Sequence, residues 1–224
     1  MGKSYRARCD ASGRAFAGSR RQIQHYVNEQ QGVLDRAISA ALSLPLPNRW
    51  ASPLRSDGYR EYKDSAFLRV LGLDRARTEL SRFWPSGGPV WDALGIVNGA
   101  SQGVLLLEAK SHVPEISGSG CGAEADRSIK KIETSLAMTK RWLEVSSGAD
   151  WKGELYQAAN RLAHLYFFRE ILHIDAWLVN VYFTADPHSP ISQAEWDVAV
   201  PDVKEALGIS KIPFYADVYL PAIC

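Results

Sequence analysis

The chain is poor in the residues that define disulfide-rich, zinc-binding or membrane proteins. Only three cysteines occur among its 224 residues, and Cys9, Cys121 and Cys224 have neither the spacing of a metal site nor the even number of a disulfide framework. No apolar run approaches the length of a bilayer span, and the polar, basic N-terminus has no apolar segment typical of a secretory signal. These absences predict a protein of the reducing cytoplasm with no membrane partner.

The chain also lacks a strong charge of one sign. Its 26 Lys and Arg residues and 25 Asp and Glu residues leave a formal net charge of +1, whereas dedicated nucleic-acid binders are often strongly basic. The first 21 residues are the exception, because Asp10 is the only acidic residue among six basic ones: Lys3, Arg6, Arg8, Arg14, Arg20 and Arg21. A basic arm on phosphates and a solvated terminus both explain this run, and the sequence leaves the choice open.

What the chain does contain is a hairpin pattern over residues 89–110. Two apolar runs flank the turn-forming hexapeptide 98–103. Because side chains alternate along a strand, Glu108 and Lys110 share one face. If the loop is centred, Asp92 of the first run stands opposite Glu108, whereas a tight two-residue turn would shift the pairing by about three residues. With the centred register, two carboxylates and one ammonium group converge at the end of two central strands.

Two carboxylates this close repel each other and require a cation between them. Lys110 can supply it, and so can a divalent metal. Mg²⁺ is commonly held by one or two carboxylates and keeps several waters, which leaves room for a substrate phosphate. Solvated charge at a strand end would explain Glu108 and Lys110 alone. It does not explain why Asp92 occupies the matching position in the partner run.

Asp92, Glu108, Ala109 and Lys110 resemble the active-site motif of the PD-(D/E)xK nuclease superfamily, which has the restriction-endonuclease-like fold. In that motif an Asp on one strand is followed, one hairpin later, by Glu-x-Lys. The resemblance covers roughly residues 60 to 185, and it departs from the motif where Trp91, not Pro, precedes the Asp. The string Phe-Trp-Pro-Ser-Gly-Gly-Pro-Val-Trp-Asp is also similar to that of an uncharacterised bacterial group within the superfamily.

The resemblance implies an α/β fold, with a mixed central sheet flanked by helices and an N-terminal helical extension. It also implies metal-dependent phosphodiester hydrolysis of nucleic acid, with DNA favoured over RNA. Asp92, Glu108 and the backbone carbonyl of Ala109 would hold Mg²⁺ or Mn²⁺, and Lys110 would orient or deprotonate the attacking water. A non-catalytic nucleic-acid- or protein-binding regulator on the same fold is the alternative. A third reading is an unrelated α/β enzyme with a structural ion network. A homodimer is left open.

The resemblance suggests five further site residues. The helix before the hairpin can supply another acidic residue to the metal site, and Glu61 and Glu79 are the candidates. Glu115, just past the second strand, can complete or brace that site. From the following helix, Gln157 would hold the attacking water or Lys110, and Arg161 would grip phosphate. Each of the five is equally explained as a solvated helix or loop residue.

The segment after the hairpin carries two other polar features. His112 follows the strand and is interpreted as a hydrogen-bonded structural residue. The Gly-rich loop 117–122 is interpreted as a flap whose amides can cradle phosphate, although it does not match a P-loop. Beyond it, four polar residues at helical spacing are predicted to share one face: Gln157, Asn160, Arg161 and His164.

Periodicity and turn signals predict the remaining elements. We expect one domain with a basic arm and helical extension over residues 1–58, packed as one unit with a nuclease-like part over residues 59–224. The predicted helices span 20–44 (capped by Ser19), two stretches within 59–83, 124–145, 155–172, 193–198 (capped by Ser192) and 202–207 (capped by Asp202). The predicted strands beyond the hairpin span 174–184 and 214–219, and 46–58 is predicted to be a loop.

Overall fold

A five-stranded mixed sheet forms the centre of the fold. The computed structural model describes residues 9–43, 49–98, 102–145 and 148–223. The strands lie side by side in chain order, namely β1 (Arg49–Ser52), β2 (Ala93–Asn98), β3 (Gln102–Lys110), β4 (Ala176–Thr184) and β5 (Tyr215–Pro221). The β1–β2 and β2–β3 pairs are antiparallel, and β3–β4 and β4–β5 are parallel. The predicted α/β class with a mixed central sheet is therefore confirmed.

Helices flank the sheet on both sides. They are α1 (Gly18–Glu29), α2 (Gln31–Leu42), α3 (Asp64–Val70), α4 (Arg77–Phe83), α5 (Asp126–Trp142), α6 (Tyr156–Tyr166) and α7 (Gln193–Ala206). Short 3₁₀ turns span Arg55–Asp57, Asp74–Ala76 and Val113–Glu115, and α6 continues into a π-helical turn at Phe167–Ile171. Within the described ranges, no helix combines the length and apolar character needed to cross a bilayer.

Strand alternation divides the core into two layers. Leu105, Leu107 and Ala109 of β3 face a cluster that includes Ile23 of α1 and Leu34 of α2. Val104 and Leu106 face the opposite way, into a cluster built mainly from α3, α4, α5 and α6. On that second side, Trp196 of α7 packs against Tyr182 near the end of β4. Since Glu108 and Lys110 continue the alternation of Val104 and Leu106, they lie on the α6–α7 side.

The hairpin adopts the centred register. Ala93 pairs with Leu107 and Asn98 pairs with Gln102, so the strand pairing is centred on position 100. Residues 99–101 at its tip lie outside the described ranges. The expectation that Asp92 stands opposite Glu108 rests on this register and is therefore confirmed.

The prediction of a single helix over residues 20–44 is wrong, because two helices, α1 and α2, occupy this stretch. Gln30, with φ −126°, separates α1 from α2, and its N–H donates back to the carbonyls of His25 and Tyr26. The predicted cap is wrong too, because α1 begins at Gly18 and Ala17 caps it without a side-chain bond. The interruption lets α1 pack on β3 while α2 packs on β5.

The predicted loop over residues 46–58 contains a strand that the sequence pattern did not reveal. Residues 44–48 lie outside the described ranges, but β1 pairs with β2 at the sheet edge. Trp50 is buried there, and its Nε1–H donates to Asp35 Oδ1 of α2 at 2.8 Å. Four residues without a β-branched side chain give little strand signal, so the pairing with β2 decides the conformation.

The two short helices predicted over residues 193–198 and 202–207 are one helix, α7, with Pro201 inside it. An apolar stripe at positions 196, 200, 203 and 207 holds both halves on the same side of the fold. The predicted Ser192 cap is confirmed as a capping box with Glu195. The other predicted helices and strands are present, with ends displaced by a few residues.

The described part of the basic N-terminal run is folded onto the protein. Arg14 pairs with Glu29 at 3.0 Å, and Arg20 pairs with Glu61 at 2.7 Å. Lys3, Arg6 and Arg8 lie outside the described ranges. Arg14 and Arg20 therefore do not belong to a free arm.

Candidate active site

Asp92 and Glu108 face each other across the β2–β3 pair. Ala93 pairs with Leu107, so the antiparallel register makes Asp92 and Glu108 the next opposed positions. Asp92 Oδ2 accepts a hydrogen bond from the Ala109 backbone N–H at 2.8 Å. The bond fixes Asp92 at the entry to β2 and ties it to the middle residue of the Glu108-Ala109-Lys110 triplet.

Glu108 is a buried carboxylate with a cation on each oxygen. Its residue is 5% exposed. Lys110 Nζ contacts Oε1 at 2.7 Å, and Arg161 Nε contacts Oε2 at 2.5 Å. Burying a charge is costly unless it is paired and hydrogen-bonded, and both conditions are met here. Arg161 of α6 is thereby brought into the site, as the sequence suggested.

The two carboxylates differ in how well their charge is compensated. Burial raises the pKa of Asp92 well above its ordinary value, and the neighbouring Glu108 charge raises it further. Burial also raises the pKa of Glu108, but the charges of Arg161 and Lys110 outweigh it, so the pKa lies below its ordinary value. The pair therefore holds one firmly ionised carboxylate and one that lacks sufficient positive charge around it.

Glu61 joins this site from the segment before α3 rather than from a helix. An isolated antiparallel bridge joins Tyr62 to Trp91, with the Trp91 N–H donating to the Tyr62 carbonyl at 3.0 Å. Glu61 is therefore next to Asp92. Burial raises the pKa of Glu61, the Arg20 cation of α1 lowers it, and the Glu108 charge raises it. Three carboxylates, of Asp92, Glu108 and Glu61, thus share one charged centre.

Arg161 also ties α6 to the entry of β2. Its guanidinium lies 6.0 Å from the centre of the Trp91 ring, and its Nη2 donates to the Val90 carbonyl at 3.4 Å. Trp91, which precedes Asp92, is fully buried. The indole therefore supports both Arg161 and the backbone that carries Asp92.

The single polar face predicted for α6 is wrong. Gln157 and Arg161 line the cavity beside Glu108, but Asn160 and His164 are buried. His164 Nδ1 lies 2.9 Å from the Asn160 carbonyl, and the ring is 5.2 Å from that of Trp84. Burial lowers the pKa of His164 to about 4. The helix has to bury more of its surface than its sequence pattern indicates, because it packs between the sheet and aromatic side chains that include Phe83 and Trp84.

A cavity of ≈ 50 Å³ next to Glu108 is lined by the expected Lys110, Gln157 and Arg161. Its wall also includes residues that the sequence did not single out, among them Asn180, Lys204 and Tyr215. The parallel register places Asn180 of β4 beside Glu108 and Asp217 of β5 beside Asn180. Asn180 Nδ2 donates to the Tyr215 hydroxyl at 2.7 Å, and Lys204 of α7 pairs with Asp217 at 2.5 Å. The available sequence signal was one polar residue inside each apolar strand, Asn180 in β4 and Asp217 in β5. Only the register between distant strands shows that Asn180 is the neighbour of Glu108 and that Asp217 lies one strand further on.

Glu115 and Glu79 do not extend the carboxylate pair. Glu115 accepts the Ser111 N–H at 2.9 Å through Oε2 and contacts His112 Nδ1 at 2.8 Å through Oε1. It therefore braces the turn after β3, and His112 has the structural role expected of it. Glu79 lies on α4, in a groove with Arg82 of the same helix and Lys130 of α5.

The Gly-rich loop 117–122 is held by backbone hydrogen bonds to the segment that precedes α6. The N–H of Gly118 donates to the Glu154 carbonyl at 2.9 Å, and the N–H of Cys121 donates to the Lys152 carbonyl at 2.8 Å. Those two amides are occupied and cannot cradle a phosphate in this arrangement. The loop instead lies against α6, close to the Gln157 side chain.

The donor chemistry of the site suits a hard cation, although its carboxylates are already bonded to the Ala109 N–H, Lys110 and Arg161. Asp92 and Glu108 offer carboxylate oxygens from adjacent strands, which is the donor type and number that Mg²⁺ commonly takes from a protein. Across the described ranges, no group of three or more His, Cys, Asp or Glu side chains is arranged to hold a metal ion. A bound metal would therefore have to compete with Lys110 and Arg161 for Glu108.

Comparison with known proteins adds no relative. No protein-family model matches the chain, and no curated protein or solved structure matches it significantly.

Proposed function

We propose that the protein hydrolyses phosphodiester bonds of nucleic acid in a metal-dependent reaction, with DNA favoured as substrate, on a restriction-endonuclease-like core. The observation that supports this most is the juxtaposition of Asp92 with Glu108 and Lys110 on adjacent strands. The site lies near the carboxyl end of β3, next to the parallel strand β4. Ligands in open α/β sheets commonly bind at such ends. Cytoplasmic location and a homodimer stay predictions.

Asp92, Glu108 and the Ala109 carbonyl would hold Mg²⁺ or Mn²⁺. The raised pKa of Asp92 indicates that this carboxylate lacks a compensating cation, which a divalent ion would supply. In an antiparallel pair, a residue whose N–H points at the partner strand also points its C=O there. Because the Ala109 N–H points at Asp92, its carbonyl is expected on the same side. When bound, the ion lowers the pKa of water and stabilises charge on the phosphate.

The remaining chemistry falls to side chains of the chain itself. Lys110 would orient the attacking water and stabilise the negative charge that builds on the phosphate oxygens in the transition state. Arg161 would bind a non-bridging phosphate oxygen, because its planar guanidinium has more donors than Glu108 uses. The water gives up a proton to solvent as its oxygen forms a bond to phosphorus and the bond to the leaving oxygen breaks, and the leaving oxygen then takes a proton from solvent.

One observation favours the alternative, a non-catalytic binding protein on the same fold. Lys110 and Arg161 already satisfy both oxygens of Glu108. Such a closed network would also hold α6 on the sheet without any chemistry. The two readings differ in whether Glu108 exchanges its cations for a metal.

Cleavage assays test the proposal. Purified protein is incubated with supercoiled plasmid, single-stranded DNA or RNA, with and without Mn²⁺. The wild-type protein should cleave at least one substrate only with metal, and Asp92→Asn or Lys110→Met should slow cleavage at least about a hundredfold. Lys211→Met removes an exposed lysine elsewhere and serves as the matched control. Cleavage that survives in both site variants would defeat this assignment.

A further inference from the structure

The surface formed by α4 and α5 carries a concentration of positive charge. Two grooves meet there and share Lys131. The first, of ≈ 530 Å³, contains Arg82 and Lys130. The second, of ≈ 440 Å³, contains Arg77 and Arg127. Five cations thus line the two grooves of a chain whose formal net charge is +1.

Carboxylates compensate this charge only in part. Arg77 pairs with Asp74 at 3.1 Å, and the Lys131 ammonium donates to the Ser81 carbonyl at 2.5 Å. Arg82, Arg127 and Lys130 are exposed, and within the described ranges none of them has a carboxylate at ion-pair distance. The grooves contain two carboxylates of their own, Glu79 and Asp64, so an excess of cations remains.

The arrangement of these cations matches a chain of phosphates better than a single anion. Arg127, Lys130, Lys131 and Thr134 follow the helical spacing i, i+3, i+4 and i+7, so they form one row along α5. At 1.5 Å per residue this row is about 10 Å long, which corresponds to about three phosphates of one strand of duplex DNA. Hydroxyl groups of Thr134, Ser81 and Ser86 accompany the cations. Lysine, arginine and hydroxyl side chains are the groups that commonly contact a nucleic-acid backbone.

The second groove borders the segment that leads into the candidate active site. Its wall includes Ser86 and Asp64, and Asp64 Oδ1 accepts the N–H groups of Gly87 and Gly88, each at 2.9 Å. Ser86 precedes Asp92 by six residues. Even a fully extended chain of that length spans at most about 20 Å, which is about six base pairs of duplex. A nucleic acid held in the grooves would therefore be within a short distance of Asp92 and Glu108.

We infer that the α4–α5 grooves bind the sugar–phosphate backbone of a nucleic acid and deliver it to the Asp92–Glu108 site. This deepens the proposed function and rests on it for the delivery step, whereas backbone binding itself does not require catalysis. Scattered surface cations would be expected to have carboxylate neighbours in a chain with nearly equal numbers of both charges. The continuous row and the neighbouring hydroxyl groups distinguish this surface from such a background.

The test is binding of a labelled short DNA duplex, measured by fluorescence anisotropy in EDTA so that no cleavage occurs. The groove variant combines Arg82→Gln, Arg127→Gln and Lys130→Gln. The control variant combines Arg36→Gln, Arg49→Gln and Lys211→Gln, which removes the same charge from exposed positions on other parts of the fold. Circular dichroism confirms that both variants are folded. Lys131 is left unchanged because its bond to Ser81 links α5 to α4.

The groove variant should bind at least tenfold more weakly than wild type at low salt. Its plot of log affinity against log salt should be shallower by about 2 to 3, because each lost phosphate contact reduces the slope by about 1. The control variant should keep the wild-type slope. Equal weakening in both variants, or binding of heparin by a wild-type protein that does not bind the duplex, would overturn the inference.

Hydrolysis of a small phosphodiester, measured beside duplex binding, distinguishes failure of this inference from failure of the proposed function. If wild type binds the duplex through the grooves but never cleaves with Mn²⁺, the hydrolysis proposal fails and the binding surface stands. If the protein hydrolyses bis(p-nitrophenyl) phosphate with Mn²⁺ but the groove variant binds duplex like wild type, the catalytic site stands and the binding surface is wrong.

Discussion

The two faces of β3 show how one strand can serve both a dry core and a charged site. On the face covered by α1 and α2, Leu107 and Ala109 are buried among apolar residues up to the strand end. On the opposite face, the same stretch carries Glu108 and Lys110, which alternate with them. Behind the site, the strand packs on an apolar layer. The buried charge of Glu108 on the opposite face is tolerated because Lys110 and Arg161 compensate it.

The largest expected effect comes from adjacent leucines that point to opposite faces. Leu106→Ala and Leu107→Ala each remove a fully buried side chain, so each should lower the free energy of unfolding by about 2 to 5 kcal/mol. Because Leu106 lies on the Glu108 face, only its loss should also slow cleavage per folded molecule. Urea unfolding and metal-dependent cleavage measure the two quantities. Equal loss of cleavage in both variants would show that the faces are not independent.

A second pair of variants compares the two carboxylates. Glu108→Gln leaves Lys110 and Arg161 partly buried without their counter-charge, and should lower the free energy of unfolding by about 3 kcal/mol. Asp92→Asn keeps a carbonyl oxygen for the Ala109 N–H and removes the repulsion with Glu108. It should therefore leave stability unchanged or increase it by about 1 kcal/mol. If thermal unfolding shows that Asp92→Asn destabilises the protein more than Glu108→Gln, then Glu108 is not the better compensated of the two carboxylates.

The site face also contains His164, a buried group that should make stability depend on pH. Its pKa falls to about 4 in the folded protein, from an ordinary value of 6.5. The folded state therefore keeps the ring neutral. The part of the stability that depends on this neutral ring is fully present above pH 6.5 and is lost as the pH falls towards 4. Over that window, His164 should account for a loss of about 3 kcal/mol.

Urea unfolding of wild type and His164→Gln at pH 7 and at pH 4.5 measures this contribution. The variant should be less stable at pH 7, because it loses the bond to the Asn160 carbonyl, but its stability should fall less towards pH 4.5. A parallel fall in both proteins would assign the pH dependence to other groups.

The face containing Asp92 and Glu108 was predictable from sequence because alternation and a centred loop are local properties of the hairpin. Arg161 was expected at the site from the family resemblance, which pairs a Gln with a residue one helical turn later, and not from any local property of the hairpin. The row from Glu108 to Asn180 and Asp217 was not predictable, because parallel register depends on how β4 and β5 dock after long connections. Likewise, β1 depends on its pairing with β2, and the conformation at Gln30 depends on α1 and α2 packing over different strands.

Isothermal titration of Mn²⁺ into wild type and Asp92→Asn tests the central claim most directly, since it asks whether the charged face is a metal site. Asp92→Asn keeps the shape of the site and removes one ligand charge. The account predicts that wild type binds Mn²⁺ and that Asp92→Asn binds at least about tenfold more weakly. No binding by wild type at saturating Mn²⁺, or equal affinity in both proteins, would contradict it.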